Sequence, residues 1–379
     1  MSLDERYPSL EYLKLRARRR LPHFVWEFLD SGTGSDATRD RNRRDLDGVH
    51  LLPSIFHGEL EFDVSKSFLG QTYDLPVGIA PVGMSGLIWP NAEMILARAA
   101  AELNIPYALS TVAAQSLESI GPVTNGNGWF QLYPPKTETI RLDMLKRARD
   151  SGFSTLVLTV DVPVSSRRER QVRAGLNYPP RLSPRMIWQC IQSPTWSLGM
   201  LRQGKPSMVN LAPYSDVDSK SLPANAHIGY LLRTSPDWEY LRWLRDNWHD
   251  SLIVKGVLHP VFVPEIQSLG ADAIWVSNHA GRQFDAAPSS ISQLPKIREA
   301  TDLPLIFDSG AEGGLDILRA LSLGADFVMM GRAWHFALAA LGPSGVRHFA
   351  TVLKNDLSAN MGQLGISSFA SAEKIRRLS

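Results

Sequence analysis

Eight short apolar runs, each closed by polar, charged or glycine residues, constrain the fold of this chain more than any other feature. They are "LPVGIAPVG" (75–83), "YALSTV" (107–112), "WFQLY" (129–133), "TLVLTVDVP" (155–163), "SLIVKGV" (251–257), "ADAIWVSNHAG" (271–281), "LPLIFDSG" (303–310) and "ADFVMMGR" (325–332). Runs that are apolar almost throughout, rather than at every second residue, indicate strands buried on both faces, as in parallel sheets covered by helices. The segments between them read as helices. "NAEMILARAAAEL" opens on Asn91 as an N-cap and places Ile95, Ala99, Ala100 and Leu103 on one face. "TIRLDMLKRARDSG" does the same with Ile140, Met144, Leu145 and Ala148 before stopping at Gly152. Eight strand–helix units in series predict an α/β fold, a TIM (β/α)8 barrel, whose active site gathers at the C-terminal ends of the strands.

Chemically useful residues fall at those ends: Gly83; Ser110; Gln131 and Tyr133; Thr159 and Asp161; Lys255; Ser277 and His279; Asp308 and Gly310; Gly331 and Arg332. One strand closed by a turn residue means little, but recurrence at all eight ends points to a site. Residues 164–250 are too long for a single crossover helix and read as an inserted lid over the barrel mouth. Residues 1–70 precede the first run and read as an N-terminal helical cap. The expected organisation is a single domain over 1–379, with the barrel at 71–163 and 251–379.

Composition excludes several classes of function. With 379 residues, 44% of them hydrophobic and 21% charged, the chain is long enough for a large core and too apolar for disorder. A net charge of +2 gives no reason to expect a nucleic-acid partner, and the basic run Arg16 to Arg20 reads as a solvated helix face. The single cysteine, Cys190, excludes an intramolecular disulfide and a multi-cysteine metal site, and it reads as an inert apolar residue. No metal is expected. "MSLDERYPSL" lacks the apolar core of a signal peptide, and no run of about 18 apolar residues could span a bilayer. The expected location is the cytoplasm or the inner membrane surface.

Taken alone, the strand-end residues leave more than one chemistry open. His279 and Asp161 end the sixth and fourth strands and suit a general base with an orienting carboxylate, whereas a loop histidine is more often an ordinary surface residue. Arg168 and Arg282 could form a carboxylate clamp or be surface charges paired with acids. "DSGAEGG" (308–314) with "GRA" (331–333) reads as an anion cradle, for a phosphorylated substrate or a mononucleotide cofactor, or as a tight turn before a helix. Lys255, ending an apolar strand, calls for an anion or an electron-rich cofactor beside it.

The motif "SNHAGRQFD" (277–285) closely resembles the active-site signature of the FMN-dependent L-2-hydroxy acid dehydrogenases and oxidases, which include glycolate oxidase, L-lactate dehydrogenase and (S)-mandelate dehydrogenase. The resemblance runs from "LPHFVWEFLDSG" (21–32) to "MGRA", and "GMSGLIWPNAEM" and "SPTWSLGMLRQGKP" (193–206) are most similar to the mandelate dehydrogenase branch. It implies FMN as cofactor, oxidation of an L-2-hydroxy acid to the 2-keto acid, and a homo-oligomer, a tetramer in this family. His279 would be the base, taking either the α-proton or the hydroxyl proton, with Asp161 holding the imidazole. Arg168 and Arg282 would bind the substrate carboxylate, with Tyr133 assisting and Phe28 alongside. Pro81, Val82, Gly83, Ser110, Gln131, Thr159 and Ser277 would hold the flavin ring, and Lys255 its N1/O2 edge. Asp308, Ser309, Gly310, Ala311, Glu312, Gly331 and Arg332 would take the ribityl chain and phosphate.

Three residues depart from the family pattern. Phe28 replaces a tyrosine that binds the substrate carboxylate; Glu312 replaces an arginine near the phosphate; and Val112 replaces a large aromatic residue of glycolate oxidase, which with Ser165 implies a roomier pocket. Glu312 implies either a side chain turned outward near a helix N-terminus or FMN held less tightly. Residues 185–206 mix Trp188, Trp196, Met186, Ile187, Leu198 and Leu201 with Arg185, Arg202 and Lys205. That mixture suits either a bilayer interface, where quinone would reoxidise the flavin, or a packed lid. Oxygen as acceptor, an amine or modified peptide as substrate, and a barrel without catalytic activity are the alternatives to a quinone-linked dehydrogenase.

Overall fold

A computed structural model describes residues 2–176, 183–214 and 233–369. Residues 177–182 and 215–232 of the expected insertion lie outside the described residues. Two short strands, β1 (Lys66–Phe68) and β2 (Gln71–Tyr73), form an antiparallel hairpin. Eight parallel strands follow: β3 (Val77–Ile79), β4 (Tyr107–Ser110), β5 (Gly128–Leu132), β6 (Thr155–Thr159), β7 (Ser251–Val257), β8 (Ala273–Val276), β9 (Leu305–Phe307) and β10 (Phe327–Met330). They form a closed barrel in chain order, with Met330 of β10 opposite Ile79 of β3. Each falls within an expected run, except that β5 begins one residue earlier, at Gly128.

The apolar runs conceal an alternation. Residues of one parity, among them Leu109, Phe130, Leu156, Val254, Ile274 and Val328, belong to the large core beneath the helices. Residues of the other parity, among them Ala108, Trp129, Val157, Ile253, Trp275 and Ile306, form a separate cluster inside the barrel. Because successive side chains of a strand point to opposite faces, the next interior position after each is two residues on. Those positions are Ser110, Gln131, Thr159, Lys255, Ser277 and Asp308. The barrel interior thus changes from apolar to polar in a single layer, near the strand ends. Below, Phe68 and Tyr73 of the hairpin pack against Phe327 and close the barrel, with ring centroids 5.0 and 5.4 Å apart.

The expected helix faces need adjustment. In the helix Ala92–Glu102, Ala92, Leu96, Ala99 and Ala100 are buried together with Glu93, while Ile95 and Leu103 are half-buried. Asn91 adopts a left-handed conformation and makes no side-chain cap; its Oδ1 accepts a hydrogen bond from Gln115. The helix Leu10–Arg20 is not simply a solvated face: Leu13 and Ala17 are buried, and Arg16 and Arg20 donate to the carbonyl of Ala340. This bonds it to the end of the helix Arg332–Leu341 that follows β10.

Within the insertion, the helices Pro184–Gln192 and Pro194–Gln203 have two unlike faces. Trp196 donates from Nε1 to the Leu87 carbonyl and packs edge-on against Phe24, while Gln189 Oε1 accepts from the Phe24 N–H. Ile187, Trp188, Ile191, Leu198 and Leu201 are exposed, as are Arg185, Arg202 and Lys205.

Candidate active site

A cavity of about 1510 Å³ opens at the C-terminal ends of the barrel strands. Phe28, Pro81, Val82, Gly83, Gln131, Tyr133, Thr159, Arg168, Lys255, His279, Arg282, Asp308, Ser309, Gly310, Ala311, Glu312, Gly331 and Arg332 all line it. Ser110, Asp161 and Ser277 stand one layer behind the wall, each hydrogen-bonded to a residue in it.

The histidine and carboxylate expected to work together meet. His279 Nδ1 lies 3.1 Å from Asp161 Oδ1, which leaves Nε2 as the ring nitrogen facing no such partner. Burial pushes the imidazole below its ordinary range, against the opposing pull of the Asp161 carboxylate. Burial also opposes ionisation of Asp161, but the charges of His279 and Lys255 outweigh it and hold the carboxyl below its usual value. The ring is aimed by an uncommon backbone: His279, Ala280 and Gly281 all take left-handed φ, at 56, 56 and 73°. Such strain in a non-glycine residue persists only where the surroundings over-determine it. They do so here, since Ser277 Oγ accepts the His279 N–H and Ser309 Oγ accepts that of Ala280. Asn278 accepts from the Gly281 N–H and exchanges amide hydrogen bonds of 2.6 and 2.8 Å with Asn42 of the cap.

Asp161 needs a partner that sequence reading overlooked. A β-bulge interrupts β7 between Lys255 and Val257, and its Gly256, at φ 106°, would put a Cβ 2.5 Å from that of Asp161. An isolated glycine inside the apolar run "IVKGV" is the kind of signal that marks a bulge or a close approach.

Lys255 also finds its anion within the protein. Its Nζ lies 3.2 Å from Asp308 Oδ2, donates to Ser277 Oγ at 2.8 Å and sits 5.1 Å from the centroid of the Trp275 ring. The buried lysine therefore does not by itself require a cofactor. Across the cavity, Ser110 Oγ donates to Gln131 Oε1, and Gln131 Nε2 donates to Thr159 Oγ1, a chain that fixes the amide's orientation.

The two arginines are joined through Ser166, whose Oγ accepts from Arg168 Nε at 3.2 Å and donates to the Arg282 carbonyl at 2.6 Å. Arg282 reaches the carbonyls of Leu29 and Ser31 and stacks over Phe28, 5.6 Å from its centroid. Phe28 thus offers a π face to the guanidinium, where a tyrosine would add a hydroxyl. The cap is fastened on the same side: Asp285 accepts from the N–H groups of Ser35 and Thr38. Arg170 pairs with Glu27, Asp30 and Asp36, a cluster that sequence reading did not single out.

At the far end, only part of the "DSGAEGG" cradle faces the cavity. Gly310 does, but Gly314 packs so closely on the helix Pro343–Leu364 that a Cβ would meet Leu357 at 2.3 Å, and its N–H is taken by Asp356. Arg332 donates to the Asp30 carbonyl, and burial lowers its pKa. Glu312 lines this end and pairs with Lys14. Gly83 and Val112 prove complementary, because a Cβ at Gly83 would lie 2.4 Å from Val112 Cγ2.

Over residues 17–376 the chain matches the family described as FMN-dependent dehydrogenase. The chain belongs to that family. It is 36% identical over 365 residues to an L-lactate dehydrogenase of Ectopseudomonas mendocina (strain ymp), covering 96% of each chain. Over 363 residues it is 35% identical to that of Pseudomonas aeruginosa (strain LESB58), covering 95% of each. Among solved structures it is similar to the monotopic membrane protein (S)-mandelate dehydrogenase, at 33% identity and a TM-score of 0.87, covering 98% of this chain and 97% of the other. It is also similar to mandelate oxidase, at 31% and 0.82, covering 98% of each. As an FMN-dependent 2-hydroxy acid dehydrogenase or oxidase, it is an oxidoreductase acting on CH–OH.

The donor set fits the cofactor that this family implies. FMN presents a flat apolar ring with a polar edge, a polyhydroxyl chain and a phosphate. The cavity offers in turn the apolar Ala80, Val82 and Met330; the amide of Gln131, the hydroxyl of Thr159 and the ammonium of Lys255; Asp308 and Ser309; and the buried guanidinium of Arg332. Among the described residues, no group of three or more His, Cys, Asp or Glu side chains could hold a metal ion, and no helix is long and apolar enough to cross a membrane. Cys190 lines the outer cavity, and burial raises its thiol pKa, which disfavours the reactive thiolate.

Proposed function

We propose that this protein oxidises an L-2-hydroxy acid with a bulky apolar substituent to the 2-keto acid and passes the electrons to quinone at a membrane surface. The observation that carries this reading is the His279–Asp161 pair, facing the same cavity as two arginines joined through Ser166. Arg168 and Arg282 bind the substrate carboxylate and hold the α-carbon against His279, and Tyr133 assists at the hydroxyl. His279 Nε2 takes the proton that leaves the substrate, and Asp161 stabilises the resulting imidazolium. FMN, held by Gln131, Thr159, Lys255, Ser309 and Arg332, would supply the acceptor for the two electrons that leave the α-carbon. Lys255 supplies a cation at the polar edge of the ring, where negative charge grows.

The outer cavity supports the choice of substrate and acceptor. Val112 and Ser165 leave room beside the base, while Leu176, Met186, Trp196 and Met200 give the entrance an apolar lining. The exposed Ile187, Trp188, Ile191, Leu198 and Leu201 beside Arg185, Arg202 and Lys205 suit a bilayer interface with anionic headgroups. The same helices pack as a lid through Trp196 and Gln189, so lid and membrane foot are two faces of one element. The homo-tetramer and the single-domain organisation are part of this proposal, and light scattering and limited proteolysis test them.

Anaerobic mixing with aliphatic and aromatic 2-hydroxy acids of both hands is the direct test. The expected outcome is bleaching of the flavin by L-acids, fastest with bulky ones; no bleaching by any of them sinks the substrate assignment. Reoxidation of the reduced enzyme by a quinone in liposomes should then outpace reoxidation by oxygen.

A further inference from the structure

Glu312 is an acid in the cavity wall close enough to the buried Arg332 to act on its charge, and it would repel a phosphate drawn to that arginine unless its own charge is answered. It does not cap the helix Gly314–Ser322. The N–H groups of Gly314 and Leu315 are taken by Asp356, and Asp316 accepts that of Glu312 itself. The Glu312 carboxylate instead meets Lys14 Nζ at 2.5 Å, with the two side chains only 34% and 20% exposed.

Lys14 is well placed to do more than neutralise a surface acid. Its ammonium lies 5.5 Å from the centroid of the Phe336 ring, one turn along the helix that Arg332 begins. The helix that carries it is held by buried Leu13 and Ala17 and by the bonds from Arg16 and Arg20 to Ala340. Two packed helices thus bring two cations to one end of the cavity, around a single carboxylate. Of the other acids there, Asp30 pairs with Arg39 and Arg170, and Asp316 with Arg43 and Arg319.

We propose that Lys14 is a positioning residue of the cofactor site: its ion pair with Glu312 turns an acid that would repel the FMN phosphate into part of a cradle of net charge +1, and makes the N-terminal helix a component of cofactor binding. Lys14, Arg332 and Glu312 supply that charge (+1 + 1 − 1). The inference rests on FMN being the cofactor and is independent of substrate and acceptor.

The test compares the binding of FMN and of riboflavin, which lacks the phosphate, to the flavin-free protein by flavin fluorescence. Lys14→Met should weaken FMN binding about tenfold, in keeping with one uncompensated partly buried charge, and leave riboflavin binding unchanged. Glu312→Gln should tighten FMN, and adding it to Lys14→Met should restore at least the original affinity. Raising the salt concentration should shrink the FMN effect. Unchanged FMN affinity in Lys14→Met, or an equal loss for both flavins, would overturn the proposal. A protein that binds riboflavin and FMN equally would overturn it too. One that binds neither would remove the cofactor reading as well.

Discussion

The two ends of the barrel are made from the same eight strands and bury their side chains by opposite means. At the lower end, Phe68, Tyr73, Trp129, Trp275 and Phe327 pack ring against ring. At the upper end, charged and polar groups are buried in pairs: Lys255 lies 3.2 Å from Asp308, and Asp161 lies 3.1 Å from the His279 ring. Trp275 stands at the junction, its ring against Trp129 on one side and beneath Lys255 on the other. Apolar burial at one end supplies the stability that the charged end consumes, which is why the cavity can hold a depressed imidazole and a strained backbone together.

Changes at either end should separate the two contributions. The largest expected effect is at the top. His279→Ala should keep the flavin bound and slow its anaerobic reduction by about 10²- to 10⁴-fold, the usual worth of a general base; near-normal reduction would remove the histidine from its role. In the unaltered enzyme, kcat/KM for that reduction should hold on the alkaline side and fall on the acid side. Its apparent pKa should lie below the ordinary histidine value, because burial disfavours the imidazolium more than Asp161 favours it.

At the bottom, Trp129→Ala should cost about 3–5 kcal/mol of stability, read from the denaturant midpoint. The flavin reduction rate of the folded fraction should not change. A rate loss matching that of His279→Ala would break the division between the two ends.

A second histidine tests stability at the top apart from chemistry. His335 is buried, bonded to Ser85 Oγ and the Gly331 carbonyl, and its pKa is pushed down to about 4 by burial. An unfolded chain takes up this proton near pH 6.5 and the native one near pH 4. The stability it contributes is therefore present above pH 6.5 and lost progressively as pH falls towards 4, amounting to roughly 3 kcal/mol. Replacing His335 by Gln should flatten that part of the pH–stability profile, and an unaltered profile would assign the loss to other groups.

The smallest effects belong to the lid. Trp188→Ser with Ile191→Glu should weaken liposome binding by about 1–2 kcal/mol per side chain and slow electron delivery to quinone. Neither residue lines the cavity, so flavin reduction by substrate should be untouched.

The eight strands were legible because burial on both sides writes each as a continuous apolar run, and their polar ends located the site. That same continuity hid the pleat. Both parities are apolar until the last interior position, so sequence could not tell which residues of each strand fill the barrel and which lie under the helices. Asn278 lies inside the most recognisable motif, but its role depends on Asn42, 236 residues away. Gly256 is visible in the strand as a lone glycine, yet only its distance from Asp161 gives it meaning.

By itself the sequence determined the barrel and the inventory of strand-end groups, because both follow from local periodicity and composition. Only the tertiary structure decided which charges meet. His279 and Asp161 are 118 residues apart, and Lys14 and Glu312 are 298 apart. Closing the barrel and laying the cap across it brings such groups to bonding distance, and at that distance a buried lysine found Asp308, a phenylalanine became a platform for Arg282, and an acid of the cavity wall acquired a lysine. Charges are buried at bearable cost only in pairs, and pairing is a property of the closed barrel rather than of the chain.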